Sequence, residues 1–417
     1  MLKEDVFSKI EAGNIEEALS MLASRATSDD HQVRFEVAEL YYELGHIKEA
    51  RQIVEDLRSL YPDEGSLAIL SAEMMIDEDE EDEAIEALLE VGVEDDSYAQ
   101  AQLLLADLYQ LQALDEVAEQ KLLAALQKDP DEMILVYALG EFYLNQGAYN
   151  KAIPYLKQSL YADLGEVNVG LSLAEAYSGN GQFEDALQLY HQQQTNKMTP
   201  DQLFSFGFTA YQQGDYPVVI EQLGAVKSLD ADFTSVYMPL AKAYEAENRL
   251  DEAFETLKDG IRMDEFNDQL PMMAGQVLTK MNDLVGAEQF FRQSLALNPS
   301  NVKSVQAFAA LLKDEERADD LDELIQYVQE HGESDPLLTW FQAFAKANLE
   351  EFEEARLLYK EAMPAFNEDA DFLIEYGYFL MEEGDRTQAK SLFEQALLLD
   401  PTRSDLTELI EELNYEE

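Results

Sequence analysis

Small apolar residues recur along this chain at an almost constant interval, and this spacing limits what the chain can fold into more than any other feature. They stand at Ala18, Ala50, Ala84, Ala118, Ala152, Ala186, Val219, Ala253, Ala287, Leu321, Ala355 and Ala389. The interval is about 34 residues, the period of helical-hairpin repeats that pack mainly on their neighbours. Only the steps after Ala18 and after Ala186 are slightly shorter. The sequence therefore predicts a repeat solenoid and not a set of globular domains.

Two further positions of the repeat carry residues with a clear structural meaning. Five residues before the small residue there is usually a turn residue, at Gly13, Gly45, Gly147, Gly181, Gly214, Asn248, Asn282 and Gly384. Twelve residues before it there is a second small residue, at Ala38, Ala72, Ala106, Gly140, Ala174, Gly207, Ala241, Gly275, Ala309, Ala343 and Gly377. Glycine tolerates the positive φ of a tight turn, and small residues let two helix axes approach closely. Each unit is therefore predicted to consist of two antiparallel helices joined by a short turn.

The segments Ala138–Leu160 and Leu173–Tyr190 are the clearest copies of a known pattern. They resemble tetratricopeptide repeats (TPRs), and about twelve such units in register cover the chain from Leu2 to Asp400. The chain is also similar to YpiA-type cytoplasmic TPR proteins of Bacillus relatives. The resemblance implies an all-α fold, in which residues 1–417 form a single right-handed TPR solenoid of about twelve antiparallel helix pairs. It also implies that the first helix of each unit lines a concave groove.

Some parts of the chain depart from the regular pattern. The unit at 200–232 is one residue short and carries Val219 where alanine is usual, so we expect an irregular junction there. The units at 65–98 and 302–335 lack the turn glycine, the second having Glu316 in its place, and the stack is expected to bend or repack at these points too. Residues 404–415 have apolar side chains on one helical face and acids on the other, which predicts a C-terminal capping helix.

The chain is strongly acidic. It has 87 Asp and Glu residues against 28 Lys and Arg residues, which gives a formal net charge of −59. Such a field repels phosphate backbones and anionic lipid headgroups, so nucleic acids and membrane surfaces are not expected partners. No apolar run approaches the roughly 18 residues of a membrane span, and the first residues are charged throughout rather than typical of a signal peptide. We therefore expect a cytoplasmic protein.

No pattern of catalytic or metal-binding residues is present. Cysteine is absent, which excludes a thiolate metal site and a cysteine nucleophile. The sequence contains no phosphate-binding loop, zinc-protease motif or serine-hydrolase motif, and its four histidines lie far apart. The seven consecutive acids Asp77–Glu83 lack the glycine-punctuated spacing of a calcium loop and are interpreted as a solvated surface. We therefore expect no enzyme activity, no metal and no cofactor.

One position of the first helix is expected to point into the groove, as the TPR resemblance implies, and it directly follows the small residue. In five consecutive units this position is acidic, at Glu39, Glu73, Asp107, Glu141 and Glu175, which we call the acidic ladder. In later units it is occupied by Phe208, Lys242, Gln276, Ala310, Phe344 and Tyr378. We interpret the acidic ladder as a track for a Lys- or Arg-bearing segment of a partner, with Tyr42 and Tyr137 adding contact area. The alternative is that these acids only form a solvent-facing surface.

Aromatic residues beside the groove are the second group of candidate contacts. Phe204 with Phe208, and Trp340 with Phe344, are predicted to form apolar patches for a partner, and core packing is the alternative for each of them. The sequence as a whole predicts a non-enzymatic scaffold or adaptor that binds a protein or peptide in its groove. The alternatives are a peptide-sensing signalling receptor and an assembly chaperone for a basic client protein. The oligomeric state is left open.

Overall fold

A computed structural model describes residues 2–165, 167–332 and 335–416, with side-chain surroundings up to residue 413. These described residues form 25 α-helices and no β-strand. In chain order the helices are α1 (Leu2–Glu11), α2 (Ile15–Arg25), α3 (His31–Glu43), α4 (Ile47–Leu60), α5 (Gly65–Asp77), α6 (Glu81–Leu89), α7 (Tyr98–Leu111), α8 (Asp115–Lys128), α9 (Met133–Asn145), α10 (Tyr149–Ser159), α11 (Val169–Gly179), α12 (Phe183–Tyr190), α13 (Pro200–Gln213), α14 (Tyr216–Leu229), α15 (Tyr237–Ala246), α16 (Leu250–Met263), α17 (Gln269–Lys280), α18 (Leu284–Leu297), α19 (Val302–Asp314), α20 (Ala318–Glu330), α21 (Pro336–Asn348), α22 (Phe352–Phe366), α23 (Ala370–Glu382), α24 (Arg386–Leu399) and α25 (Ser404–Glu416). The all-α repeat fold predicted from the period of the sequence is therefore confirmed.

The helices form twelve successive hairpins, from α1 with α2 to α23 with α24, and each first helix packs on the second helix of its own hairpin. The hairpins group into two compact units, Met1–Asn196 with α1–α12 and Lys197–Glu417 with α13–α25. A single solenoid over residues 1–417 and an irregular junction at 200–232 stay predictions. Locally, α13 begins with a capping box, in which the Thr199 side chain accepts a hydrogen bond from the backbone N–H of Gln202.

The repeating small residues lie at the buried centre of each hairpin. All twelve positions, from Ala18 to Ala389 and including Val219 and Leu321, have 0% of their surface exposed. The second small residue leaves room for a large side chain of the partner helix. A Cβ atom added to Gly207 would lie 2.6 Å from Leu223, and one added to Gly377 would lie 2.5 Å from Phe393. Glycine therefore stands where a large side chain packs directly against the backbone of the first helix.

The turn between the two helices of each hairpin depends on one residue in the left-handed region. Glycine occupies it in half of the hairpins, as at Gly384 with a φ of 82°. In the others the residue is Asp79, Ala113, Asn248, Asn282, Glu316 or Glu350, with φ between 55° and 63°. The units that lack the turn glycine therefore keep its backbone conformation. Because a Cβ atom crowds the backbone in this region, we infer that these turns are locally strained.

The predicted capping helix is confirmed as α25. Leu406 and Leu413 are buried, and Leu409 and Ile410 pack partly against the same core cluster. These four residues lie on one face of the helix, and α25 packs against α24. The prediction placed the helix at 404–415, and it ends one residue later.

Candidate functional site

The acidic ladder lies on five neighbouring first helices of the first unit, α3, α5, α7, α9 and α11. Each of these helices contacts the next in the series, so the ladder residues follow one another across one face. Glu39 and Asp107 are exposed, whereas Glu73, Glu141 and Glu175 are half-buried. Each follows a fully or almost fully buried alanine or glycine of the helix crossing. The structure therefore brings the five predicted residues into one register, and it leaves their role in binding a prediction.

The pKa of three ladder carboxylates is raised by their surroundings. Partial burial raises the pKa of Glu39, with Glu43 and Glu36 adding to the rise and Lys3 opposing it. Burial also raises the pKa of Glu73, followed by the charges of Asp77 and of the ladder neighbour Glu39. Burial alone raises the pKa of Asp107, although its side chain is reached by solvent.

The surroundings therefore disfavour negative charge at these three positions. A cationic side chain of another molecule would relieve this, because an opposite charge close to a carboxylate stabilises its ionised form. The ion-pair pattern agrees, since Glu39, Glu73, Asp107 and Glu141 form no ion pair with any described residue.

The two predicted tyrosines lie beside the acidic ladder. Burial and a hydrogen bond with Asp77 raise the pKa of Tyr42 above its ordinary range. Burial raises the pKa of Tyr137 to about 12, against the opposing effect of a hydrogen bond with Ser172. The Tyr137 hydroxyl lies 3.3 Å from Ser172 Oγ. The charges of Glu141 and Glu175 add to the rise. Both tyrosines are half-buried.

Phe204 and Phe208 form part of a continuous row of rings in the second unit. Their ring centroids are 5.9 Å apart, and Tyr211 follows at 6.4 Å from Phe208. Phe233, in the loop after α14, lies 5.0 Å from Phe204. Phe208 is 41% exposed, whereas the other three rings are half-buried. The structure thus brings the two predicted residues together. It also extends their patch to Tyr211, which was not predicted from the sequence.

Trp340 lies in the core of the second unit. Only 7% of its surface is exposed, and its indole N–H donates a hydrogen bond to Glu375 at 2.7 Å. The Lys313 ammonium lies 4.6 Å from the Trp340 ring centroid and 2.7 Å from Glu375. Phe344 is half-buried and its ring centroid lies 5.1 Å from the same ammonium. Trp340 thus has the surroundings of the core-packing alternative, and its role as a partner contact stays a prediction.

Several polar contacts were not foreseen from the sequence. Arg51 binds two of the seven consecutive acids, Glu78 at 2.6 Å and Glu80 at 2.5 Å, so this acidic run is partly paired. Lys280 binds Glu245 at 2.6 Å. The only sequence signal for such pairs would be an acid and a base separated by about one repeat length. Within residues 2–165, 167–332 and 335–416, no three His, Asp or Glu side chains are grouped as metal ligands. No helix in this part of the chain has the length and apolar character needed to cross a membrane.

Most of the chain aligns with one bacterial protein. It is 39% identical over 411 residues to the TPR repeat-containing protein YpiA of Bacillus subtilis (strain 168), and the alignment covers 98% of this chain and 97% of that protein. The chain belongs to the YpiA family of TPR proteins. Residues 336–403 match the YpiA-like C-terminal tetratricopeptide repeats, and residues 110–166 match the YpiA-like tetratricopeptide repeats. Residues 171–200 match a general tetratricopeptide repeat, and residues 9–118 match the ARM repeat of tetratricopeptide repeat protein 21.

Solved structures give more distant similarities. The crystal structure of the APC/C hetero-tetramer Cut9-Hcn1 aligns with 99% of this chain and 96% of its own, at 10% identity and a TM-score of 0.42. The crystal structure of YrrB, described as a TPR protein with an unusual peptide-binding site, aligns with 45% of this chain and 97% of its own, at 16% identity and a TM-score of 0.39. The peptide-binding site in that description belongs to YrrB.

Proposed function

We propose that this member of the YpiA family is a non-enzymatic scaffold of the cytoplasm, which binds a Lys- or Arg-bearing segment of a partner protein along the acidic ladder. Repeat solenoids present extended surfaces that suit such binding. The observation that carries the proposal is the row of five carboxylates on neighbouring helices. Three of them have a raised pKa, and none of those three forms an ion pair with a described basic side chain.

The spacing of the acidic ladder suits a basic peptide. Neighbouring packed helices lie about 8–10 Å apart, which sets the step from one carboxylate to the next. A peptide in the extended polyproline II conformation rises about 3.1 Å per residue with three residues per turn, so bases at every third residue would share one face and match this step. A helix with bases seven residues apart rises about 10.5 Å between them and would match as well. Tyr42 and Tyr137 would add contact area beside the carboxylates.

Affinity would come from several weak contacts acting together. Each exposed ion pair contributes about 0–1 kcal/mol, so no single ladder residue is expected to dominate. The acidic field would mainly speed the encounter with a basic segment. Binding should weaken as salt is added, because the screening length falls from about 10 Å at 0.1 M to about 3 Å at 1 M.

The test is fluorescence anisotropy with a labelled twelve-residue peptide that has lysine at every third position. The variant Asp107→Asn, Glu141→Gln, Glu175→Gln removes three rungs of the ladder and should weaken binding about tenfold, from roughly 0.5 kcal/mol per rung. A matched control is the variant Glu86→Gln, Glu116→Gln, Glu184→Gln. It removes the same charge from exposed positions on the second helices α6, α8 and α12 of the same unit.

The control separates a built ladder from the general field of the protein. Binding by the control variant should stay close to that of the unchanged protein. Equal losses in the two triple variants would show that only net charge matters and would overturn the proposal. Affinity purification from the native cell, followed by mass spectrometry, would then identify the partner whose basic segment the ladder selects.

A further inference from the structure

The second unit contains a neutral face in a protein with a net charge of −59. In the first three hairpins of this unit, the leading helices α13, α15 and α17 together carry only two acids, Asp201 and Glu245, and two lysines, Lys242 and Lys280. The five helices of the acidic ladder instead carry eight acids and one arginine. Helices in the same register therefore differ sharply in charge between the two units. We therefore expect a partner segment that binds the second unit to differ in charge from one that binds the first unit.

A row of aromatic side chains lies on the first of these helices, α13. Phe204, Phe208 and Tyr211 of α13 follow one another at spacings of four and three residues, so they share one helical face. We call them the aromatic stripe. Phe208 occupies the same repeat position as the ladder carboxylates, directly after the buried Gly207, and is 41% exposed. Aromatic side chains with this partial exposure supply much of the binding energy at protein interfaces, because each buries a large rigid surface at low entropic cost.

Lys242 provides a positive charge next to the aromatic stripe. It occupies the same repeat position on α15, which packs beside α13, and its side chain is exposed. Lys280 is neutralised by Glu245 at 2.6 Å, and Lys313 of α19 by Glu375 at 2.7 Å. Lys242, by contrast, forms no ion pair or hydrogen bond with any described side chain. Among the described residues it is therefore a cation without a counter-ion, although acids outnumber bases 87 to 28 in the sequence.

We propose that the aromatic stripe and Lys242 form a second docking surface, for a partner segment that carries bulky apolar side chains together with a carboxylate. The rings would bury the apolar side chains, and the carboxylate would become the counter-ion of Lys242. A basic segment would instead bring like charge against Lys242, which disfavours it. This surface lies in a different unit from the acidic ladder and selects the opposite charge, so it goes beyond the scaffold function proposed above.

The two surfaces should respond to salt differently. A peptide with a carboxylate is repelled at long range by the net charge of the protein, and salt screens that repulsion. Its contact with the aromatic stripe is short-range and apolar, and salt leaves such contacts in place. Binding at the second surface should therefore hold or strengthen as salt is added, whereas binding at the acidic ladder should weaken.

The experiment compares three fluorescein-labelled twelve-residue peptides on the full chain by anisotropy. The first carries two phenylalanines four residues apart and one glutamate; the second replaces the glutamate with lysine; the third replaces both phenylalanines with alanine. We expect saturable binding of the first peptide, at least fivefold tighter than binding of the other two. Phe208→Ala and Lys242→Glu should each weaken it at least fivefold, and Lys242→Glu should improve binding of the lysine peptide.

Matched controls are Phe266→Ala, at a loop residue that is 88% exposed, and Lys360→Glu, at an exposed position of α22. Both should leave affinity for the first peptide unchanged, and so should the triple ladder variant at Asp107, Glu141 and Glu175. Equal affinity for the three peptides, or an equal loss in Phe208→Ala and Phe266→Ala, would overturn the proposal. A loss of binding in the ladder variant would also overturn it, by assigning the peptide to the first unit.

Discussion

Lys346 Nζ lies 2.9 Å from Asp322 Oδ2, and the two side chains are only 8% and 11% exposed. Lys346 also binds Glu351 at 2.8 Å, and Gln326 and Gln342 donate hydrogen bonds to Asp322. Burial by itself lowers the pKa of Lys346, but the hydrogen bonds with Glu351 and Asp322 outweigh burial and raise it. A buried lysine that keeps its charge thus links α20 and α21 to Glu351, the residue directly before α22, at a repeat position where several other hairpins have tyrosine.

The first prediction concerns the loss of this lysine. Lys346→Met should lower the free energy of unfolding by about 3 kcal/mol, because it leaves the buried Asp322 carboxylate without its counter-ion. The measurement is urea unfolding followed by circular dichroism. The double variant Lys346→Met, Asp322→Asn should recover part of the loss, since a neutral amide is less costly to bury than an unpaired charge. A single variant as stable as the unchanged protein would show that Asp322 is solvated well enough without Lys346.

The second prediction concerns the hairpin turns that have a non-glycine residue at positive φ. Glu316→Gly and Glu350→Gly should each raise stability by about 1 kcal/mol, because glycine has no Cβ atom to crowd the backbone there. The converse change, Gly384→Ala, should lower stability by a similar amount. A Cβ atom at Gly384 would have no other atom within 4 Å, so this change tests φ alone. The check is the urea midpoint of each variant, and midpoints that do not move would mean that these turns relax at no cost.

The period of the sequence was enough to predict the hairpins and their cores. It placed Val219 and Leu321 at the crossing despite their size, and both are fully buried. The same register predicted the acidic ladder as a row, because a fixed position in each repeat lies on a fixed face of the stack. Residues other than glycine at the turn position, such as Glu316, still have the positive φ of the turn glycine. The closure of the hairpin, and not the side chain, determines φ there.

The polar contacts between hairpins could not be predicted in this way. Lys313 and Glu375 lie far apart in the sequence, on α19 and α23, with Trp340 between them. The repeat register says that these helices are near one another but not which long side chains reach across. It left Trp340 as either a groove contact or a core residue, and rings from neighbouring elements, including Phe366 and Phe372, lie against the indole. Side-chain length and direction decided these contacts, and neither has the period of the repeat.

The third prediction is a pH dependence of stability that comes from the acidic ladder. Glu39, Glu73 and Asp107 have a pKa raised above that of the unfolded chain, which is about 4 for such groups. Each therefore contributes stability that is fully present below the unfolded pKa and is lost as the pH rises through the folded pKa. The variant Glu39→Gln, Glu73→Gln, Asp107→Asn cannot ionise at these positions. It should be more stable than the unchanged protein at pH 7, and the difference should disappear toward pH 4.

The measurement is the urea midpoint of both proteins at a series of pH values from 4 to 8. The variant Glu86→Gln, Glu116→Gln, Glu184→Gln provides the reference for removing three acids from this unit at exposed second-helix positions. The ladder variant should gain more stability at pH 7 than this reference. If both variants follow the same curve, relief of net charge explains the gain, and the burial of the ladder carboxylates has no measurable effect.

The last prediction uses Trp340, the single tryptophan of the chain, as a probe of its own surroundings. The Lys313 side chain lies across the indole, with its ammonium 4.6 Å from the ring centroid and bound to Glu375. Lys313→Ala removes this cover and the counter-ion of Glu375, so acrylamide should quench Trp340 fluorescence more strongly. Stability should fall by about 1 kcal/mol, the typical contribution of a partly desolvated cation–π contact. The control is Lys303→Ala on the same helix, where the lysine is exposed and forms no ion pair with any described residue, and it should change neither quantity. Equal quenching in the two variants would mean that the neighbouring rings shield the indole without Lys313, and that the lysine only neutralises Glu375.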